Sequence, residues 1–391
     1  MGSGSSKKVS PPGSADSTKK RKKDKSFLIK TLDEHTGSIN NICLSNDKQT
    51  IVTVSEDHTA RLWDIKTEEC IGVLEGHTSY ITNCCVSDEH VFTASADYSI
   101  RKWDLKTCEC LHEFNGHTST VNKIIYSQGL LFSGSYDRTA RCWDARSGDL
   151  LRVFEGHHRS LFPLLLVSNS KTRRTHVDLD SNDDILITGS ADYTAKSWGM
   201  NSNQCLVTYK KHTGAVLCLA VDSANKILFT GSTDTVICMW DLLSGRHLKT
   251  MEGHNATVLN LQVLNKLLFS SSSDKTVRSW VVEFGDCTRV FKGHTHTVGC
   301  MVVEDGLVFT ASGDGTIRAF NTKSGSCKRV YKGHEHAINA LVVHKRKILS
   351  GSHDQTLRIW DASKLRDDDD DDDELIEVVT SNGNVSSTTL S

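Results

Sequence analysis

Apolar residues along this chain come in short runs, each ended by a polar turn. The stretch from 130 to 157 shows the pattern. LLFSGS is a β-rich run, YDR a turn, TARCWDA a second run, RSGD a turn and LLRVFEGH a third. This order predicts short antiparallel strands and no helices. Proline, which cannot donate to a ladder, occurs only 3 times in 391 residues.

The pattern repeats. Histidines stand at His35, His77, His117, His157, His212, His254, His294 and His334, and turn aspartates at Asp57, Asp97, Asp137, Asp192, Asp234, Asp274, Asp314 and Asp354. Four residues before every aspartate is a Ser or Thr, and six after it is an aromatic. The second unit thus holds His77, Thr93, Asp97 and Trp103, and the third His117, Ser133, Asp137 and Trp143. All 7 tryptophans occupy the aromatic slot, and Phe320 takes it in the seventh unit. The period is mostly 40 residues, with one unit of 55.

Four short strands per unit with GH and WD signatures resemble the WD-repeat β-propeller family. The stretches HTGAVLCL (212–219), SYDRTARCWD (135–144) and SGDGTIRAF (312–320) carry the likeness, which covers roughly residues 26–365. It implies an all-β fold: a single eight-bladed propeller over 26–365, between a disordered basic lead (1–25) and a disordered acidic tail (366–391). The last unit stops after Trp360–Asp361, whereas SFLIKTL (26–32) precedes His35 as CIGVLEG precedes His77. The N-terminal strand is therefore expected to complete the last blade and leave no open sheet edge.

Ser/Thr, His and Asp recurring together suggest a hydrolase triad, but eight copies argue for a scaffold fastener, since catalysis needs one preorganised site. The resemblance implies a hydrogen-bonded chain from Asp to His to Ser/Thr to Trp in each blade. Phe320 has no indole N–H, so blade seven is expected to lack one link. Glu34 and Lys211 replace the glycine of GH. No phosphate-binding loop, dinucleotide glycine pattern or zinc spacing occurs, and the His294/His296 and His334/His336 pairs read as turn histidines. The reading is a non-enzyme with no catalytic residue, metal or cofactor.

Antiparallel strands put alternate turns on opposite rims, so the His and Asp turns share one rim. On it, Tyr80, Tyr98, Tyr136, Arg138, Arg159 and Tyr193 supply the residue types enriched at binding hot spots. The opposite rim is expected to carry the 168–184 insertion and a second pattern. Asp137, Arg141, Trp143, Asp144 and Arg146 are similar to the motif by which some WD proteins dock on the adaptor of a cullin–RING ubiquitin ligase. Asp97, Arg101, Trp103, Asp104 and Lys106 nearly repeat it. The leading expectation is a monomeric scaffold whose two rims take other proteins or peptides, with no nucleic acid. A ligase substrate receptor is the alternative.

Charge changes the picture only at the ends. The net charge is −2, but residues 1–25 carry eight Lys/Arg against two Asp and residues 362–391 nine acids against two bases. The first 25 residues have no apolar signal region, and 13 cysteines without one read as reduced thiols of a cytoplasmic protein. MGSGSSKKVS fits an acylation signal at Gly2 with Ser6, and Lys19–Lys25 is a basic cluster. Lipid and cluster together would suit a membrane surface. The same cluster also reads as a nuclear-import run.

Overall fold

The computed structural model describes residues 1–2, 27–168, 184–200, 203–363 and 365. Ser6, the Lys19–Lys25 cluster, residues 169–183 of the insertion and the acidic run from Asp367 lie outside them. The described strands form eight four-stranded antiparallel sheets, with no helix among the described residues.

Blade one shows how the sequence builds each sheet. Its strands, from inside outward, are Ile39–Leu44, Thr50–Ser55, Ala60–Asp64 and Cys70–Leu74. The second strand is buried almost throughout, because both of its faces meet a neighbouring blade. That double burial explains near-continuous apolar runs such as Leu130–Ser135, where every residue is buried. The core accordingly lies between blades. Phe92, Ala94, Ile100 and Phe114 of blade two pack against Val121, Ile124, Leu131 and Trp143 of blade three. The innermost strands touch in sequence around the ring, and Ile39–Leu44 meets both Ile81–Val86 and Ile338–His344.

The ring closes as the sequence led us to expect. Leu28–Leu32 is the outermost strand of blade eight and pairs antiparallel with Leu357–Asp361, with Leu28 opposite Trp360 and Leu32 opposite Leu357. A clasp surrounds the seam. Asp361 N–H donates to the Phe27 carbonyl at 2.8 Å and Ala362 N–H to the Arg346 carbonyl at 2.7 Å. Arg329 of blade seven donates to the Ser363 carbonyl at 3.0 Å, and its guanidinium lies 4.0 Å over the Phe27 ring. Leu365 is buried in the same cluster.

Strand direction fixes the rims. Leu28–Leu32 runs toward His35, and Leu357–Asp361 runs away from Asp354. Phe27 and Ser363 therefore both lie toward the rim opposite the His and Asp turns.

Candidate functional site

Eight fasteners make the His/Asp rim rigid. In every blade His Nδ1 lies 2.6–3.0 Å from Asp Oδ2. His Nε2 lies 2.7–2.8 Å from the buried Ser or Thr hydroxyl. In seven blades that oxygen also accepts the Trp indole N–H at 2.8–2.9 Å. Where the imidazole is neutral, one tautomer serves the chain of bonds: indole to hydroxyl, hydroxyl to His Nε2, His Nδ1–H to carboxylate. In blade two His77, Thr93, Asp97 and Trp103 make these bonds, and in blade three His117, Ser133, Asp137 and Trp143 do. In blade seven Phe320 fills the slot and offers no donor. There the Thr310 hydroxyl also lies 3.3 Å from the Arg318 carbonyl.

Each aspartate also locks two turns together. Asp97 Oδ2 accepts the Thr78 N–H at 3.0 Å, while Oδ1 accepts the Ser99 N–H and hydroxyl at 2.9 and 2.7 Å. Glycine before the histidine makes room for the strand beneath. At Gly116, φ is +148°, and an added Cβ would stand 2.3 Å from the Arg141 guanidinium.

This network makes stability depend on pH. Burial pushes the Asp57 carboxyl up, but hydrogen bonds from His35 and Thr59 outweigh it and hold it well below the usual range. The other seven turn aspartates shift the same way. Burial lowers His117, His294 and His334 despite their carboxylate partners. At His212 burial acts likewise, but hydrogen bonds with Asp234 and Cys238 prevail and raise it to about 9.

A depressed carboxyl stabilises the fold above its unfolded pKa of about 4, and that stability is lost as pH falls. Histidines lowered below about 6.5 act in the same direction, because the unfolded chain takes up their protons first. His212 acts the opposite way, its contribution being full below about pH 6.5 and lost as pH rises through about 9. The urea midpoint is therefore expected to fall as pH drops below about 6.5, and more steeply below about 4. A midpoint unchanged between pH 7 and pH 3 would contradict this account.

The aromatic residues on this rim are exposed but not scattered. Tyr80, Tyr98, Tyr136 and Tyr193 keep 42, 48, 39 and 41 % of their surface. Tyr136 packs edge-on against Phe162 at 5.8 Å, and the Arg159 guanidinium lies 5.8 Å over Tyr193. Burial, then the neighbouring Tyr80, push the Tyr136 phenol up. Tyr98, Arg138 and Tyr193 follow the turn aspartates with φ of +74, +74 and +71°, an uncommon conformation for side chains of that size. Tyr98 and Arg138 make no side-chain hydrogen bond or ring contact among the described residues.

Sequence reasoning missed Phe162 and the slot it occupies. Each innermost strand carries a bulge next to its first residue. In four blades the extra residue is Asn or Thr and donates to an inner-strand carbonyl of the next blade. Asn339 reaches Ile39 at 3.2 Å, Asn40 reaches Ile81 at 2.9 Å, Thr82 reaches Val121 at 2.6 Å and Asn122 reaches Phe162 at 3.2 Å. In the other four the slot holds Phe162, Leu217, Leu259 and Gly299. At this slot the rim is thus polar over half the ring, and over the other half it carries Phe, two Leu and Gly. The signal was readable in the repeat alignment as the residue five after each histidine.

The ligase-adaptor pattern does not share one surface, which corrects the expectation that it lay on the opposite rim. Lys106 and Arg146 sit there, in turns capped by Asp104 and Asp144 at 2.8 and 2.7 Å. Arg101 and Arg141 lie at the other end of Ile100–Asp104 and Ala140–Asp144, under Gly76 and Gly116. Strand rise separates the two halves by roughly 10 Å or more. Arg101 is also paired with Glu113 at 2.7 Å, and Arg141 lies 5.9 Å over Trp143. No group of three or more His, Cys, Asp or Glu side chains is placed to hold a metal among the described residues.

Comparison with known proteins fits this geometry. The family model "WD domain, G-beta repeat" matches residues 26–64, 68–104, 108–144, 203–241, 245–280, 285–321 and 325–361. Human WD repeat-containing protein 86 is 59% identical over 194 residues, covering 49% of this chain and 52% of that protein. Coatomer subunit beta'-2 of Arabidopsis thaliana is 39% identical over 61 residues, covering 15% of this chain and 7% of that protein. The chain thus spans about half the length, or much less, of these relatives. Among solved structures, the computationally designed Ika8 protein superimposes with a TM-score of 0.75 at 27% identity, covering 85% of this chain and 98% of that one.

Proposed function

The chain belongs to the WD domain, G-beta repeat family, and on that premise we propose that it is a non-enzymatic scaffold whose His/Asp rim holds a protein or peptide partner. The observation that carries the reading is the exposed aromatic surface of this rim: the Tyr136–Phe162 pair and the Arg159–Tyr193 pair, with Tyr80, Tyr98 and Arg138 on the turns of blades two and three. Large aromatic surface stays exposed there on turns that the fasteners hold still, so little entropy is lost when a partner docks. Of the ligase-adaptor pattern, Lys106 and Arg146 lie on one rim and Arg101 and Arg141 toward the other, and nothing in the geometry favours that reading over the scaffold.

Partner capture from eukaryotic cells tests the proposal, with the natural chain beside one in which Tyr98, Tyr136 and Tyr193 are all alanine. Hot-spot aromatics cost about 2 kcal/mol or more each when truncated, so at least one captured partner is expected to bind more than about tenfold more weakly. Partners retained equally by both, with equal melting temperatures, would remove this patch. Location is part of the same proposal: a lipid on Gly2 with the Lys19–Lys25 cluster would hold the propeller at an anionic membrane. The mass of the N-terminal peptide, with Gly2→Ala as control, decides it. An unmodified Gly2 would retire the anchor.

A further inference from the structure

Two thiols meet where the innermost strands of blades one and two pack together. Cys43 lies in Ile39–Leu44 and Cys84 in Ile81–Val86, and their Sγ atoms are 3.1 Å apart although 41 residues separate them in sequence. Both are free, Cys84 is buried, and Cys43 keeps some exposed surface. The Asn41 amide oxygen stands 3.6 Å from Cys84 Sγ and helps to hold that thiol in place. Lys123, on the innermost strand of blade three, adds a positive charge that acts on Cys43, Cys84 and Cys85 together. Its ammonium makes no hydrogen bond or ion pair among the described residues.

We propose that Cys43 and Cys84 are a redox pair that forms a reversible disulfide between blades one and two, with a hydroperoxide as oxidant. A disulfide needs its sulfurs about 2.05 Å apart, so closure takes a movement of about 1 Å. Neighbouring inner strands already supply the approach, and side-chain rotation can supply the rest. Cys43, the more exposed of the two, attacks first. Its thiolate displaces at the outer peroxide oxygen; the O–O bond breaks, and the alkoxide leaves with the proton that Cys43 gave up. The sulfur of Cys84 then attacks Cys43, the S–S bond forms, and the sulfenic S–O bond breaks. Hydroxide departs and takes the Cys84 proton as water. In sum, two thiols lose two electrons and two protons, and one hydroperoxide becomes an alcohol and water.

The neighbourhood sets the rate. The hydrogen bond with Cys84, then burial, hold the Cys43 thiol above its ordinary range, while Lys123 acts in the opposite direction. Reaction is therefore expected to be slow compared with a low-pKa sensor thiol, and the gain lies in proximity. The exposed thiols Cys110, Cys205, Cys287 and Cys327 sit on the outermost strands of separate blades, whereas the innermost pair already has its sulfurs in contact.

The test uses the full chain. It is treated with hydrogen peroxide, its remaining thiols are alkylated, and it is digested without reduction for mass spectrometry. A Cys43–Cys84 linked peptide pair that disappears with dithiothreitol is expected, together with a rise of about 5 °C in the melting temperature. Cys85→Ser should keep the link. Cys43→Ser, shown by its melt under reducing conditions to be folded, should lose it. A vicinal Cys84–Cys85 link would overturn the proposal. So would Cys43 and Cys84 both recovered as free thiols while the four exposed cysteines are oxidised.

Discussion

A chain beginning at residue 33 is expected to lose the folded monomer, whereas one beginning at residue 27 keeps it. The six residues between them hold Phe27 and the whole outermost strand of blade eight. Without that strand Leu357–Asp361 becomes an open edge, its backbone groups unpaired along the register now closed by Leu28–Leu32. The cluster of Leu349, Leu357 and Ile359 loses Leu32, which is 6% exposed. Truncating a leucine buried like this to alanine already costs about 2–5 kcal/mol. Losing the strand also removes the Phe27 ring beneath Arg329 and the Phe27 carbonyl that receives Asp361 N–H. Domain stabilities of about 5–15 kcal/mol leave little reserve against that sum. Thermal denaturation and size-exclusion chromatography of the two chains check it. A monomer starting at residue 33 that melts within about two degrees of its longer counterpart would refute the closure argument.

Removing one fastener hydroxyl should cost more in blade two than in blade seven. Thr93 and Thr310 are both fully buried and each meets a histidine Nε2, at 2.8 and 2.7 Å. Only Thr93 also receives an indole N–H, from Trp103 at 2.8 Å. Thr93→Ala therefore strands two buried polar groups and Thr310→Ala one. At about 1–3 kcal/mol for each stranded group, Thr93→Ala should cost about 2–6 kcal/mol and Thr310→Ala about half that. Both changes remove the same hydroxyl and the same γ-methyl from a fully buried site, so the difference isolates the indole bond. Urea denaturation gives both values, and equal losses would mean that the indole bond contributes nothing measurable.

Reading the sequence reached the fold because the fold is a repeat. The His, Ser/Thr, Asp and aromatic positions recur at fixed offsets, and each offset corresponds to one place on a sheet. The missing outer strand was legible for the same reason, since seven complete units define what the eighth lacks. Features set by neighbouring blades were not legible. Cys43 and Cys84 occupy different offsets in their units, 8 residues after His35 and 7 after His77. They meet only because adjacent inner strands face each other with alternating side chains. The offset of Phe162, five after His157, could be read from the repeat, but not the bulge that frees it from the ladder, where Leu161 pairs with Ser190 and pairing resumes at Leu164 opposite Thr188. The ligase-adaptor pattern reads as contiguous along the chain, yet most of the strand Ala140–Asp144 separates Arg141 from Arg146.

Phe27 and Ser363 leave the propeller together, on the rim away from the histidines. An attachment made at Phe27 and one made at Ser363 would therefore load one seam of the ring from one side, and both would lie away from the tyrosine-lined face, as two handles fixed to the back of one dish.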